Sequence, residues 1–183
     1  MANLFELTDN DYSDIIKDWV DPYPKPVIEE HEGFLVVRDD LLGGGSKIRF
    51  ADYLISSNPE VEEWVYGSSP ATGYAQISLS CMCAKYGKKS VIFMAKRSMD
   101  KLHDYQLRAI EEGAIMHWVP NGMLSVTEKR ARDYVAEDPK RRRLLPIGFD
   151  DDTVIASIAR VSSDIGVVPS EVWTVGSSGT LTR

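Results

Sequence analysis

The sequence predicts an α/β protein: a mostly parallel open sheet with helices on both faces, in three layers (α/β/α). Two observations predict it. Short apolar runs of strand length recur at Phe34–Val37, Trp64–Tyr66, Ser90–Ala95, Ile115–Val119, Leu144–Ile147 and Val172–Val175. Between them lie stretches with apolar residues at helical spacing, near 47–57, 73–86, 101–112, 124–137 and 151–165. Strands alternating with helices of this length make βαβ units, whose right-handed crossovers cover a parallel sheet on both sides.

Each element has its own justification. Residues 1–33 read as an acidic N-terminal arm, with a short helix from Asp11 to Val20 and an extended path enforced by Pro22, Pro24 and Pro26. Residues 34–183 read as a single α/β domain. Phe34-Leu35-Val36-Val37 is continuously apolar and is expected to be its first buried strand. Ile48, Ala51, Leu54 and Ile55 then repeat at helical spacing. Asp150-Asp151-Asp152 precedes the last helix, where carboxylates cap the free N–H groups and complement the dipole; a hard cation would need further oxygens converging from elsewhere. Lys140-Arg141-Arg142-Arg143 enters a strand and reads as a solvated basic face.

Composition narrows the function classes. A chain of 183 residues suffices for one domain with a real core. Its net charge of -7 argues against a general nucleic-acid binder, which carries a basic face. No apolar run approaches the length of a membrane span, and Met1-Ala2-Asn3-Leu4-Phe5-Glu6 lacks the regions of a signal peptide, so a cytoplasmic location is expected. Cys81 and Cys83 point to different faces of a helix and read as packing residues. His31, His103 and His117 have no metal-ligand spacing, and no nucleophile elbow is present.

In open parallel sheets ligands bind beyond the carboxyl ends of the strands, which selects the loops to examine. Gly43-Gly44-Gly45-Ser46-Lys47 joins an apolar run to a helix. Ser46 is positioned to cap that helix, and Lys47 projects from its first turn. That is a place for an anion, or for a lysine of lowered pKa; a flexible turn with a solvated lysine is the other reading. Gly67-Ser68-Ser69-Pro70-Ala71-Thr72-Gly73 opens the next helix with more hydroxyls than a cap needs, which suggests a cradle for a carboxylate or phosphate. Gly176-Ser177-Ser178-Gly179-Thr180 follows the last apolar run and suggests a phosphate nest, or a loose terminal tail. Asn121-Gly122 is a turn signal at the same edge of the sheet.

Together these three loops resemble those of the fold-type II pyridoxal-phosphate enzymes, the tryptophan synthase β superfamily. Gly44 to Leu54 is similar to the lysine segment of the aminocyclopropane-carboxylate deaminase and D-cysteine desulfhydrase branch. Ser68 to Ala75 is similar to the serine-rich substrate loop of the cysteine synthase and threonine synthase branches, and Gly176 to Thr180 to the phosphate loop. The resemblance covers roughly residues 34 to 183, the domain resembling the N-terminal half of such an enzyme. It implies pyridoxal 5'-phosphate as cofactor and Lys47 as the residue forming the Schiff base. Ser68, Ser69, Thr72 and Gly73 would hold the carboxylate of a small amino-acid substrate, and Gly176, Ser177, Ser178, Gly179 and Thr180 the cofactor phosphate. Where the family has an asparagine that bonds the cofactor's phenolic oxygen, this chain has Ala71. The family's later half has no counterpart in this sequence, which reads as a shortened relative, a fragment, or a chain completed by another; a homodimer, or a partner completing the sheet, is the expectation for assembly.

The expected activity is lyase- or deaminase-like: elimination, deamination or replacement on a small amino acid. Two alternatives stand beside it. The same loops suit a phosphoribosyltransferase-like or other phosphate-ligand protein, although the acidic pair of that family's donor loop is missing from Val172-Trp173-Thr174-Val175-Gly176. A catalytically inactive interaction protein, using an unpaired sheet edge, is the other.

Overall fold

The two most buried strands lie at the centre of the sheet. In the computed structural model, which describes residues 9–120, 122–174 and 178–182, β3 (Glu63–Tyr66) and β4 (Lys89–Ala95) pair in parallel. β5 (Ile115–Val119) lies beside β4, and β6 (Arg142–Leu145) lies parallel on the other side of β3. The order is β5-β4-β3-β6, so the direction of strand addition reverses at β3.

Alternation along β3 assigns the two faces. Trp64 and Tyr66 pack with Leu79 and Met82 of α4 (Ala75–Lys85) and Val154 of α7 (Asp152–Asp164). The same layer holds α2 (Ser46–Phe50) and α3 (Asp52–Ser56), whose Ile48 and Leu54 join this core. Val65, Val91 and Phe93 point the other way, against Ala131 and Tyr134 of α6 (Leu124–Glu137). The connection from β4 to β5 is α5 (Asp104–Glu111), which packs on α4. The three-layer parallel α/β architecture is the one the sequence predicts. Cys83 is buried beside Met82, as its packing role requires, and Asp151 caps α7, accepting a hydrogen bond from the Thr153 N–H at 3.0 Å.

Two expected strands differ. Phe34–Val37 is a strand, β2, but it is not in the parallel sheet. It pairs antiparallel with β1 (Ile28–His31) in a separate hairpin, and Phe34 is 61% exposed. The turn between them, Glu32-Gly33, has positive φ at both residues (51° and 84°). This is the backbone a tight hairpin demands, and it makes the local partner far easier to reach than a distant one. The second difference is Val172–Val175. Residues 172–174 form no strand, and Trp173 is 80% exposed; Val175 lies outside the described residues. β-branched residues supply propensity, but a strand also needs a neighbour to pair with. Among the described residues the edges of the parallel sheet are β5 and β6.

The arm is more built than an extended linker. Residues Asp9–Ile15 form α1, and Ile16 and Trp19 are buried in the main core. The Arg49 side chain, 1% exposed, pairs with the Asp21 carboxylate and donates to the Pro24 carbonyl at 2.7 Å. Asp52, also buried, accepts from Lys85 Nζ at 2.6 Å, Tyr86 Oη at 2.7 Å and Tyr23 Oη at 3.4 Å. The arm is thus latched to the helix pair that begins one residue before Lys47.

Candidate active site

Beyond the carboxyl ends of the strands lies a cavity of about 600 Å³, within the range of small-molecule sites. Its wall brings together Lys47, Ser68 and Ser69, and Ser178, from the three loops selected in the sequence.

Lys47 sits on the first turn of α2. The preceding Gly45 has φ 74°, and a Cβ there would stand 3.0 Å from the Tyr74 ring, so a glycine is required where loop and aromatic meet. Gly45, not Ser46, occupies the N-cap position, and it lends no side chain. Burial lowers the Lys47 pKa by disfavouring the ammonium. Among the described residues Lys47 has no hydrogen-bond or ion-pair partner, so no carboxylate offsets that effect.

The serine loop is held from α6. Thr127 Oγ1 donates to the Gly67 carbonyl at 2.7 Å, and Ser68 Oγ donates to Glu128 Oε1 at 2.7 Å. Ser68 therefore turns lone pairs, not its proton, toward the cavity. Ser69 Oγ donates to the Pro70 carbonyl at a long 3.3 Å, a weak bond that a ligand can replace. Gly73 lines the cavity, whereas Thr72 is exposed and outside the lining. Neither Ser69 nor Thr72 caps α4, whose N-cap is Tyr74 without a side-chain bond.

The third loop lies within the described residues only from Ser178 onward; Gly176 and Ser177 lie outside them. Ser178 Oγ and Thr180 Oγ1 are 3.0 Å apart, and Thr180 is buried. They rest on Gly148, which has φ 70°: a Cβ there would meet Ser178 Oγ at 1.9 Å. Of these residues only Gly148 and Ser178 line the cavity; Gly179 and Thr180 stand behind them.

Sequence reasoning missed several wall residues. Tyr66 ends β3, Arg97 follows β4, and Ile147 and Gly148 follow β6. The Tyr66 hydroxyl, its pKa raised by burial, accepts from the Gly148 N–H at a long 3.5 Å. The strand-end rule points to all of them, but they carry no glycine or serine cluster to draw notice. Glu128 is one step further out, on a helix that gave no chemical signal.

No family model and no curated protein matches the chain. Solved structures do. An ACC deaminase homologue superposes with a TM-score of 0.69 at 15% identity, covering 87% of this chain and 54% of that one. Threonine deaminase isoform 2 from Solanum lycopersicum, in its processed form, gives 0.68 at 14%, over 86% and 45%. A pyridoxal 5'-phosphate-dependent aspartate racemase gives 0.61 at 15%, over 90% and 52%. The chain has the fold of fold-type II pyridoxal-phosphate enzymes. It spans about half the length of the structures it matches. Identities this low carry the fold and leave the activity to the residues themselves.

Those residues fit a phosphorylated aldehyde cofactor in two respects. Lys47 offers an unpartnered amine of lowered pKa to the cavity, and the Ser178–Thr180 segment brings hydroxyls close against Gly148. In a third they depart, since Ala71, in the cavity wall, has no side-chain donor.

Proposed function

We propose that this chain binds pyridoxal 5'-phosphate through Lys47 and acts on a small amino acid by elimination, deamination or replacement. The observation that carries the reading is the convergence of Lys47, the serine loop and Ser178 on one cavity at the strand ends. The cofactor, when bound, supplies a carbonyl for the Lys47 amine and an electron sink for bonds at the substrate's α-carbon.

The chain's own residues do the rest. Burial keeps a fraction of Lys47 neutral, the form that attacks a carbonyl. Ser178, with Thr180 hydrogen-bonded behind it, would hold the phosphate, and Gly176, Ser177 and Gly179 would lend backbone donors to the same nest. Ser69 and Gly73 would take the substrate carboxylate. Ser68, its proton directed to Glu128, serves better as an acceptor for an ammonium or hydroxyl than as a carboxylate ligand.

The test is an absorbance spectrum of wild-type and Lys47→Ala protein, each incubated with pyridoxal phosphate and desalted. A band at the visible edge is expected in the wild type only, and borohydride reduction should fix the cofactor to Lys47, as read by peptide mass spectrometry. No retained band in the wild type would overturn the reading.

A further inference from the structure

Arg97 is the feature of the cavity that this reading leaves unused. It follows β4 by two residues, lines the cavity beside Met94 and Ala95, and is exposed. It has no ion pair or hydrogen bond among the described residues, which is unusual in this molecule. Every other described arginine except Arg130 reaches a carboxylate within 4 Å. In a chain with 28 acidic and 21 basic residues, an arginine left without an acid is out of the ordinary.

The charges around it sharpen the point. Among the described residues, Lys47 and Arg97 are the charged residues of the cavity wall, and both are basic. Their roles differ. Lys47 is pushed toward its neutral form by burial, while a guanidinium stays charged at any physiological pH. Glu128, outside the wall, is engaged by Ser68 on the α6 side. Arg97 is therefore the lasting cation of the site, and its planar fork matches a carboxylate through two parallel hydrogen bonds. An α-carboxylate already has Ser69 and Gly73 available. A second anionic group is what remains for Arg97.

We propose that Arg97 sets the substrate class: the cavity takes an amino acid whose side chain ends in a carboxylate, and Arg97 binds that distal group. This rests on the reading of the cavity as an amino-acid site, but its test does not need the cofactor. Calorimetry on the cofactor-free protein would compare succinate with butyrate, which has the same chain length and a single carboxylate, in wild type, Arg97→Ala and Arg97→Gln. Arg130→Ala, the other described arginine without an ion pair, is the control.

Wild type should bind succinate at least about tenfold more tightly than butyrate. Both Arg97 variants should bring that ratio below about twofold while Arg130→Ala keeps it. Melting temperatures should be unchanged, because Arg97 is exposed and makes no hydrogen bond or ion pair among the described residues. A ratio near one in the wild type, or a preference that survives in the Arg97 variants, would overturn the proposal. Failure of the cofactor reading would be seen separately, as a missing absorbance band in protein that still prefers succinate.

Discussion

Lys47 is distinguished by the partner it lacks. Lys85, on a nearby helix, is held charged by Asp52, whereas Lys47 faces a cavity whose wall holds no acid among the described residues. Burial then works unopposed on the ammonium, and the sign follows: the neutral amine populates at lower pH than in an exposed lysine. Amine labelling with trinitrobenzenesulfonate, followed by peptide mass spectrometry across pH, should give Lys47 a pH midpoint below the ordinary lysine value of 10.5. A midpoint at or above that value would contradict the assigned environment. Gly148 makes the second residue-scale case. Alanine there would combine a positive φ with a clash against Ser178, so Gly148→Ala should lose roughly 1–3 kcal/mol in denaturant unfolding and weaken cofactor retention. Wild-type stability in that variant would mean the Ser178 segment rests elsewhere. Lys47 was legible in the sequence because three glycines and a serine announce it. Arg97, Tyr66 and Gly148 were not, because a single residue after a strand looks like any other until the strands are assembled.

At the scale of elements, the sequence disclosed helices better than strand partners. The helical spacing at 124–137 matches α6 residue for residue, since amphipathic periodicity is written within one segment. An apolar run carries no record of its neighbour, so Phe34–Val37 and Val172–Val175 read as sheet strands. One became a hairpin arm, and the described part of the other formed no strand. The helix expected over 47–57 is two short helices broken at Ala51. That break leaves Arg49 and Asp52 both buried and both tied to the arm. The latch predicts a cost. Asp21→Ala leaves the Arg49 guanidinium buried with the Asp39 contact at 3.6 Å, the Pro24 carbonyl and the Tyr23 ring, 5.9 Å to its centroid. Removing one partner of a buried ion pair typically costs about 3 kcal/mol. Because the latch flanks α2, pyridoxal phosphate retention at Lys47 should fall with it. A loss below about 0.5 kcal/mol, the level of a surface change, would mean that the arm contributes little to the domain.

For the whole molecule, the cavity stands at one end of the sheet and a polar clamp at the other. Glu63 opens β3 and receives hydrogen bonds from Tyr134 Oη of α6 at 2.7 Å, Lys89 Nζ at the start of β4 at 3.0 Å and Arg142 Nε at the start of β6 at 3.0 Å. One carboxylate thus ties three strands and the covering helix. The Tyr134 hydroxyl leads in holding its pKa below the ordinary value of 4.5, with Lys89 and Arg142 adding to it. A carboxyl that is more acidic folded than unfolded stabilises the fold at any pH above its unfolded value. That contribution disappears as pH falls through the lowered folded value. Glu63→Gln keeps the shape and an acceptor for Tyr134 but removes the charge, so it should cost about 1 kcal/mol at neutral pH. The gap in melting temperature between wild type and variant should hold from pH 7 to about 5 and close progressively below 4. A gap that does not change with pH would mean that the clamp acts through shape alone, and that the amino ends of the strands are held by packing.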